Sequence, residues 1–295
     1  MPGSKTITCE FFRIAHEHGE EFPALEHALN LARRQTAERN FEKDGDVVRI
    51  HDFHQFPADD PCFAGILIRL RTGACPRVSW IDTDILSELH LSENEHLTEV
   101  LHFLFFPHKD IFVAERNKHV GSEYLFRDYF ADKSGCSKLQ CEHFLKKASA
   151  QQLAGLNRIR KLELKFEHDP RALNFEGSGE SLDSILKMAE ECGTRTFTLV
   201  LSVGRFKANL LDMVKEIALG ASTRMGRLQP KYVRLIGHEE STASLVLDLV
   251  DAKLDVIIPV SWTERTLPPN DVWIALRDGF YRVHSDLPDR KQVLL

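Results

Sequence analysis

The chain has 295 residues, is 43% hydrophobic and 28% charged, and carries a net charge of −6. That balance is ordinary for a globular protein and excludes disordered, collagen-like and disulfide-stapled classes, and the length points to two domains or to one large domain with an appendage. An anionic total also argues against a chain that coats nucleic acid with its whole surface.

The first predicted element is a strand, in which Ile7, Cys9 and Phe11 alternate with polar neighbours up to about Ile14. His16, His18 and Glu20 follow in a connection that reads as a solvated loop, and Leu25, Ala28, Leu29 and Ala32 then recur at helical spacing towards Arg39. The turn signal Lys43-Asp44-Gly45-Asp46 leads into Val47–Ile50, and Ile66–Leu70 lies beyond a Pro- and Asp-rich loop. These two read as an antiparallel ribbon. Leu97–Phe106 and Ile111–Glu115 form a hairpin around Pro107-His108-Lys109-Asp110, with the proline presetting φ at its start. Phe103, Phe105, Phe106, Phe112, Phe126 and Phe130 are expected to build a core between this hairpin and a helix from about Ser122 to Ala131.

From Lys138 to Leu156 the pattern reads as helical, and this stretch is the expected connection between domains. Beyond it Leu162, Leu164 and Phe166 alternate with Lys161, Glu163 and Lys165, the pattern of a half-exposed strand. Ser181 caps a helix that Gly193 stops, and Thr196–Val203 is an apolar strand. Leu210, Leu211, Val214, Ile217 and Ala218 mark an amphipathic helix. Tyr232–Ile236, Leu245–Leu249 and Val256–Val260 read as a three-strand meander, and Asn270 caps a last helix over Val272–Val283. The expected architecture is α+β: two mixed α/β domains with largely antiparallel sheets, 1–135 and 157–295, joined by a helical connection over 136–156.

The common catalytic kits are absent: no G-x-S-x-G elbow, no H-E-x-x-H, no kinase signature, and no lysine to turn Gly177-Ser178-Gly179 into a phosphate loop. Asp82, Asp84 and Glu88 suit either the ligands of a metal nuclease or the acidic first turn of a helix, and the second reading is preferred. His51, Asp52 and His54 lack a further ligand at defined spacing, and Cys136, Cys141 and His143 lack the paired form of a zinc site. No metal or cofactor is expected. The longest apolar runs, Phe103–Pro107 and Val256–Val260, fall far short of the ~20 residues of a membrane helix. With no basic-then-apolar leader and six cysteines in no framework, a reduced cytoplasmic protein is expected.

Charge is uneven along the chain. Residues 1–100 hold 10 Lys and Arg against 18 Asp and Glu, whereas Arg205–Arg234 holds seven basic residues against Asp212 and Glu216. The basic residues are Arg205, Lys207, Lys215, Arg224, Arg227, Lys231 and Arg234. Lys215 flanks the apolar stripe of its helix, so Arg205, Lys207, Arg224, Arg227, Lys231 and Arg234 are the candidate contacts to a polyanion.

Ser202-Val203-Gly204-Arg205-Phe206-Lys207, the helix after it, Tyr232–Gly237 with the following hairpin, and Arg282–Leu287 resemble the C-terminal half of the Rex A phage-exclusion proteins. The layout is also similar to the DNA-binding subunit of the Kiwa defence system. The resemblance implies a non-enzymatic cytoplasmic homodimer that binds double-stranded DNA with little sequence preference in phage defence or exclusion. Arg205 and Lys207 match the basic pair after the strand, and Arg234 the basic residue of the next strand. Two alternatives stand beside it. One is a sensor module whose acidic first domain meets a second defence-system or phage protein. The other is a metal-dependent nuclease built on Asp82, Asp84 or the His51/His54 pair.

Overall fold

The computed structural model describes residues 3–16, 22–43, 45–72, 77–79, 86–88, 91–92, 95–117, 122–136, 139–156, 158–167, 196–202, 229–238, 245–249, 251–262 and 267–287. The elements run β1 (Gly3–His16), α1 (Ala24–Ala32), α2 (Thr36–Arg39), β2 (Phe41–Lys43), β3 (Asp46–Phe56), β4 (Cys62–Arg71), β5 (Arg77–Ser79) and β6 (Leu86–Glu88). Then follow β7 (Leu97–Phe106), β8 (Ile111–Glu115), α3 (Ser122–Ser134), β9 (Leu139–His143), α4 (Lys147–Gly155) and β10 (Arg158–Glu167). The last are β11 (Thr196–Ser202), β12 (Gln229–His238), β13 (Leu245–Asp248), β14 (Asp255–Trp262) and α5 (Pro269–Val283). The fold class is α+β, as the sequence predicts. Two compact units divide it: Met1–Ile7, Pro23–Ser137 and Ile258–Asp278 form one, and Thr8–Phe22, Lys138–Ile257 and Gly279–Leu295 the other.

In the first unit, neighbouring strands run antiparallel in the order β8-β7-β4-β3-β2. The β7–β8 hairpin closes with Lys109 N–H donating to Phe106 O at 3.2 Å and Asp110 N–H to Pro107 O at 3.3 Å. Asp110 takes φ of 56°, a conformation that Asp tolerates better than most side chains. The six phenylalanines read from the sequence are all 0–2% exposed. Phe126 of α3 meets Phe103 of β7 edge to face, at 4.8 Å and 85°. Periodicity predicts one helix from Leu25 to Arg39, but Gln35 is extended (ψ 153°) and the chain makes α1 and α2 instead. Tertiary bonds decide this, because Arg39 is used to hold backbone carbonyls of β3.

In the second unit, the helix expected from Lys138 is corrected. Residues Leu139–His143 form a strand antiparallel to β1, with Phe12 opposite His143 and Ile14 opposite Cys141. Leu139, Cys141 and His143 are buried on one face, a period of two rather than 3.6. Helix α4 starts only at Lys147. The expected three-strand meander is corrected too: β13 pairs with β12, but β14 lies beside β1. Lys146 N–H donates to Ala252 O at 2.8 Å and Leu254 N–H to Phe144 O at 2.7 Å. Those bonds turn the chain away from β13 before β14 begins.

Candidate nucleic-acid interface

The second unit holds a four-stranded antiparallel sheet in the order β11-β10-β12-β13. Side-chain alternation sends Ile159, Leu162, Leu164, Val233, Leu235 and Leu247 to its buried face. Lys161, Glu163, Lys165 and Arg234 are thereby sent to the other face. Register arranges them in rows: Ser202–Lys161–Ile236, Val200–Glu163–Arg234–Asp248, and Thr198–Lys165–Tyr232. Arg160 lies exposed at a register shift between Ile159 and Lys161.

Two ion pairs hold this face. Lys161 Nζ meets Glu163 Oε1 at 2.5 Å, and Arg234 Nε donates to Asp248 Oδ2 at 3.0 Å. The Arg234 side chain is 46% exposed, so its pair is worth little in water and can give way to another oxyanion. Lys165 has no ion partner among the described residues. Short hydroxyl side chains, Thr196, Thr198 and Ser202, stand exposed on β11 beside the cations.

Of the six basic residues predicted to contact a polyanion, Arg205, Lys207, Arg224 and Arg227 lie outside the described residues. Lys231 lies in β12, and Arg234 sits three residues further along the same strand. The structure joins Arg234 to Lys161 and Lys165, which charge counting along the chain passed over. Their only signal was the alternation Lys161-Leu162-Glu163-Leu164-Lys165, which marks an exposed side without saying what lies opposite.

The nuclease alternative rests on Asp82, Asp84 or the His51/His54 pair. Asp82 and Asp84 lie outside the described residues, and Glu88 ends β6. His54 Nδ1 is 3.2 Å from Asp52 Oδ2, with the imidazole edge-on to Trp273 at 5.1 Å between ring centres. Elsewhere in the same unit His102, 8% exposed, places Nδ1 2.7 Å from Glu115 Oε1, and that oxygen also accepts the His102 backbone N–H at 2.9 Å. Among the described residues, no three His, Cys, Asp or Glu side chains are grouped to hold a metal ion. Cys9, Cys62, Cys136 and Cys141 form no disulfide bond. Cys62 is fully buried, and burial pushes its thiol up to about 11. No helix among the described residues is long and apolar enough to cross a membrane.

Comparison of the chain with curated proteins finds no match. A family model does match, over residues 4–269, which is nearly the whole chain. The chain therefore belongs to the DUF6731 family, a family of unknown function.

Proposed function

We propose that this protein binds double-stranded DNA without reading its sequence, as a non-enzymatic cytoplasmic homodimer in phage defence or exclusion. The observation that carries the reading is the outward sheet face with Lys161, Lys165 and Arg234 in adjacent rows. Strand geometry separates Lys161 from Lys165 by about 13 Å, a span that covers several phosphates of one DNA strand. Glu163 and Asp248 pair with Lys161 and Arg234, whose own side chains are 37% and 46% exposed and so stay open to a phosphate. Hydroxyls of Thr198 and Ser202 suit phosphate oxygens, contacts that position a duplex without reporting its bases. The basic window Arg205–Arg234 and the likeness to Rex A and to the Kiwa subunit support the same reading from the sequence.

A gel-shift series on duplex DNA at rising salt, with and without Mg²⁺, tests it. Retention at low salt, a steep loss with added salt and an intact duplex are expected. Absence of binding at about 50 mM salt, or metal-dependent cutting, overturns it. Binding to a protein partner that DNA does not compete away would instead favour the sensor-module alternative.

A further inference from the structure

Sheet borders are where a β-protein meets other strands, because the outer N–H and C=O groups of a border have no ladder partner. In the four-stranded sheet of the second unit, β10 and β12 are interior and β11 and β13 are the borders. Strand β13 is four residues long and includes Asp248, which Arg234 binds. Strand β11 is seven residues long, and Thr196-Phe197-Thr198-Leu199-Val200-Leu201-Ser202 holds no charge, no proline and no glycine. Its pairing with β10 runs from Lys161 opposite Ser202 to Glu167 opposite Thr196 without a register shift. Among the described residues, β10 is its one strand neighbour. The borders of the larger sheet are of another kind: β14 carries Pro259, and β2 is three residues long with Glu42 and Lys43. Short, charged or proline-bearing borders resist strand addition, and β11 has none of these features.

Burial also falls off towards β11. On the inner face Leu162, Leu164, Val233 and Leu235 are 0% exposed, whereas Leu201 and Leu199, opposite Leu162 and Leu164, are only half-buried. On the outer face Val200 is 49% exposed. A further strand alongside β11 covers both leucines and gives Val200 a cross-strand neighbour.

We propose that β11 pairs antiparallel with β11 of a second copy, about a two-fold axis through Leu199 and normal to the sheet, so that two sheets become one. A charged partner segment would find no counter-charge along β11, whereas a copy of it is uncharged as well. Full overlap of the two strands fixes the register: Leu199 lies opposite Leu199, Thr198 opposite Val200, and Thr196 opposite Ser202. The leucines then close the inner face, and Val200 lies beside Thr198 on the outer face. Such an axis keeps both outer faces on one side. Lys161, Lys165 and Arg234 of the two copies therefore share one surface, with the two β10 strands about 14 Å apart. This contact belongs to the homodimer proposed above, and it rests on that part of the reading and not on DNA binding.

Analytical ultracentrifugation of the full chain without DNA tests the contact. The wild type should be dimeric at about 10 µM chain, and a monomer up to about 100 µM overturns the proposal. Thr198→Lys with Val200→Lys sets like charges opposite each other across the axis, at two exposed positions. It should keep its secondary structure by circular dichroism and raise the dissociation constant about tenfold or more. Thr198→Glu with Val200→Lys sets opposite charges there instead, and should dimerise within about threefold of the wild type. Undiminished dimerisation of the double lysine variant overturns the contact, and a folded but monomeric charge-swapped variant overturns its antiparallel register. Should the double lysine variant not fold, hydrogen exchange of the wild type decides. Exchange of β11 amides should slow between about 1 and 100 µM chain, and unchanged exchange while the dimer forms overturns the contact. Failure of duplex binding in the gel shift leaves these outcomes unaltered, so the two readings fail separately.

Discussion

Trp273 of α5 donates its indole N–H to the backbone carbonyl of Gly65 in β4 at 3.2 Å. Gly65 pairs with Phe53 on one side and Phe103 on the other, and a Cβ built there would overlap the Phe103 ring. The missing side chain is therefore what lets that ring lie across the strand. Gly65→Ala should destabilise the protein by about 1–3 kcal/mol, because the Phe103 ring must move within a packed aromatic core. Trp273→Phe should cost about 1–2 kcal/mol through the lost hydrogen bond and indole volume. Urea unfolding midpoints check both, and a neutral Gly65→Ala would show that the ring has room to shift.

Asp128 supplies a pH dependence. Burial alone would raise its carboxyl, but the charges of Arg127 and Lys43 and their hydrogen bonds outweigh that and hold it below its ordinary value of 3.8. Because the folded value is the lower one, the carboxylate stabilises the fold above the unfolded value. That contribution disappears as pH falls through the folded value. Stability should therefore decline below pH 3.8. Asp128→Asn should be weaker by about 3 kcal/mol at neutral pH, since it removes the half-buried carboxylate that both Lys43 and Arg127 bind. It should also flatten this part of the acid limb, as read from thermal unfolding across pH.

Removing the three cations of the sheet face, in a Lys161→Gln, Lys165→Gln, Arg234→Gln variant, should reduce the log–log salt slope of duplex binding by about 2–3. The loss should be the same for unrelated duplex sequences. A slope equal to that of the wild type would place the contact elsewhere.

Cys62 should resist thiol–disulfide exchange in the native protein at pH 8. Its thiol is fully buried, and burial pushes it up to about 11, which leaves little thiolate. Reaction with a chromogenic disulfide, followed by mass spectrometry, should find Cys62 modified only after denaturant is added. Rapid native labelling would mean that β4 opens locally.

The first unit was the more legible of the two from sequence. Pro107 and the apolar runs on either side of it are local signals, and they specify the β7–β8 hairpin without help from distant residues. The break between α1 and α2 was hidden because its cause is Arg39 reaching Ile50 and His51, contacts that periodicity does not report. In the second unit, β9 escaped because five residues leave little room for a strand pattern beside the genuine helix α4. The destination of β14 was equally hidden, since it depends on bonds from Phe144 and Lys146 to residues over a hundred positions away. The candidate interface was half visible. Lys161 and Lys165 show as exposed, but their place beside Arg234 depends on the β10–β12 register, some seventy residues apart in the chain.

The Arg39 bonds also bear on how this protein avoids associating with itself. Strand β2 covers only Asp46–Val48, so from Arg49 onward the outer border of β3 has no strand beside it among the described residues. Bare borders of this kind recruit foreign strands. By occupying the carbonyls of Ile50 and His51, next to the irregularity between Ile50 and Asp52, one guanidinium denies an incoming backbone its acceptors. Arg39 thus acts as a guard against intermolecular β-pairing, and its removal would expose a template for fibril growth.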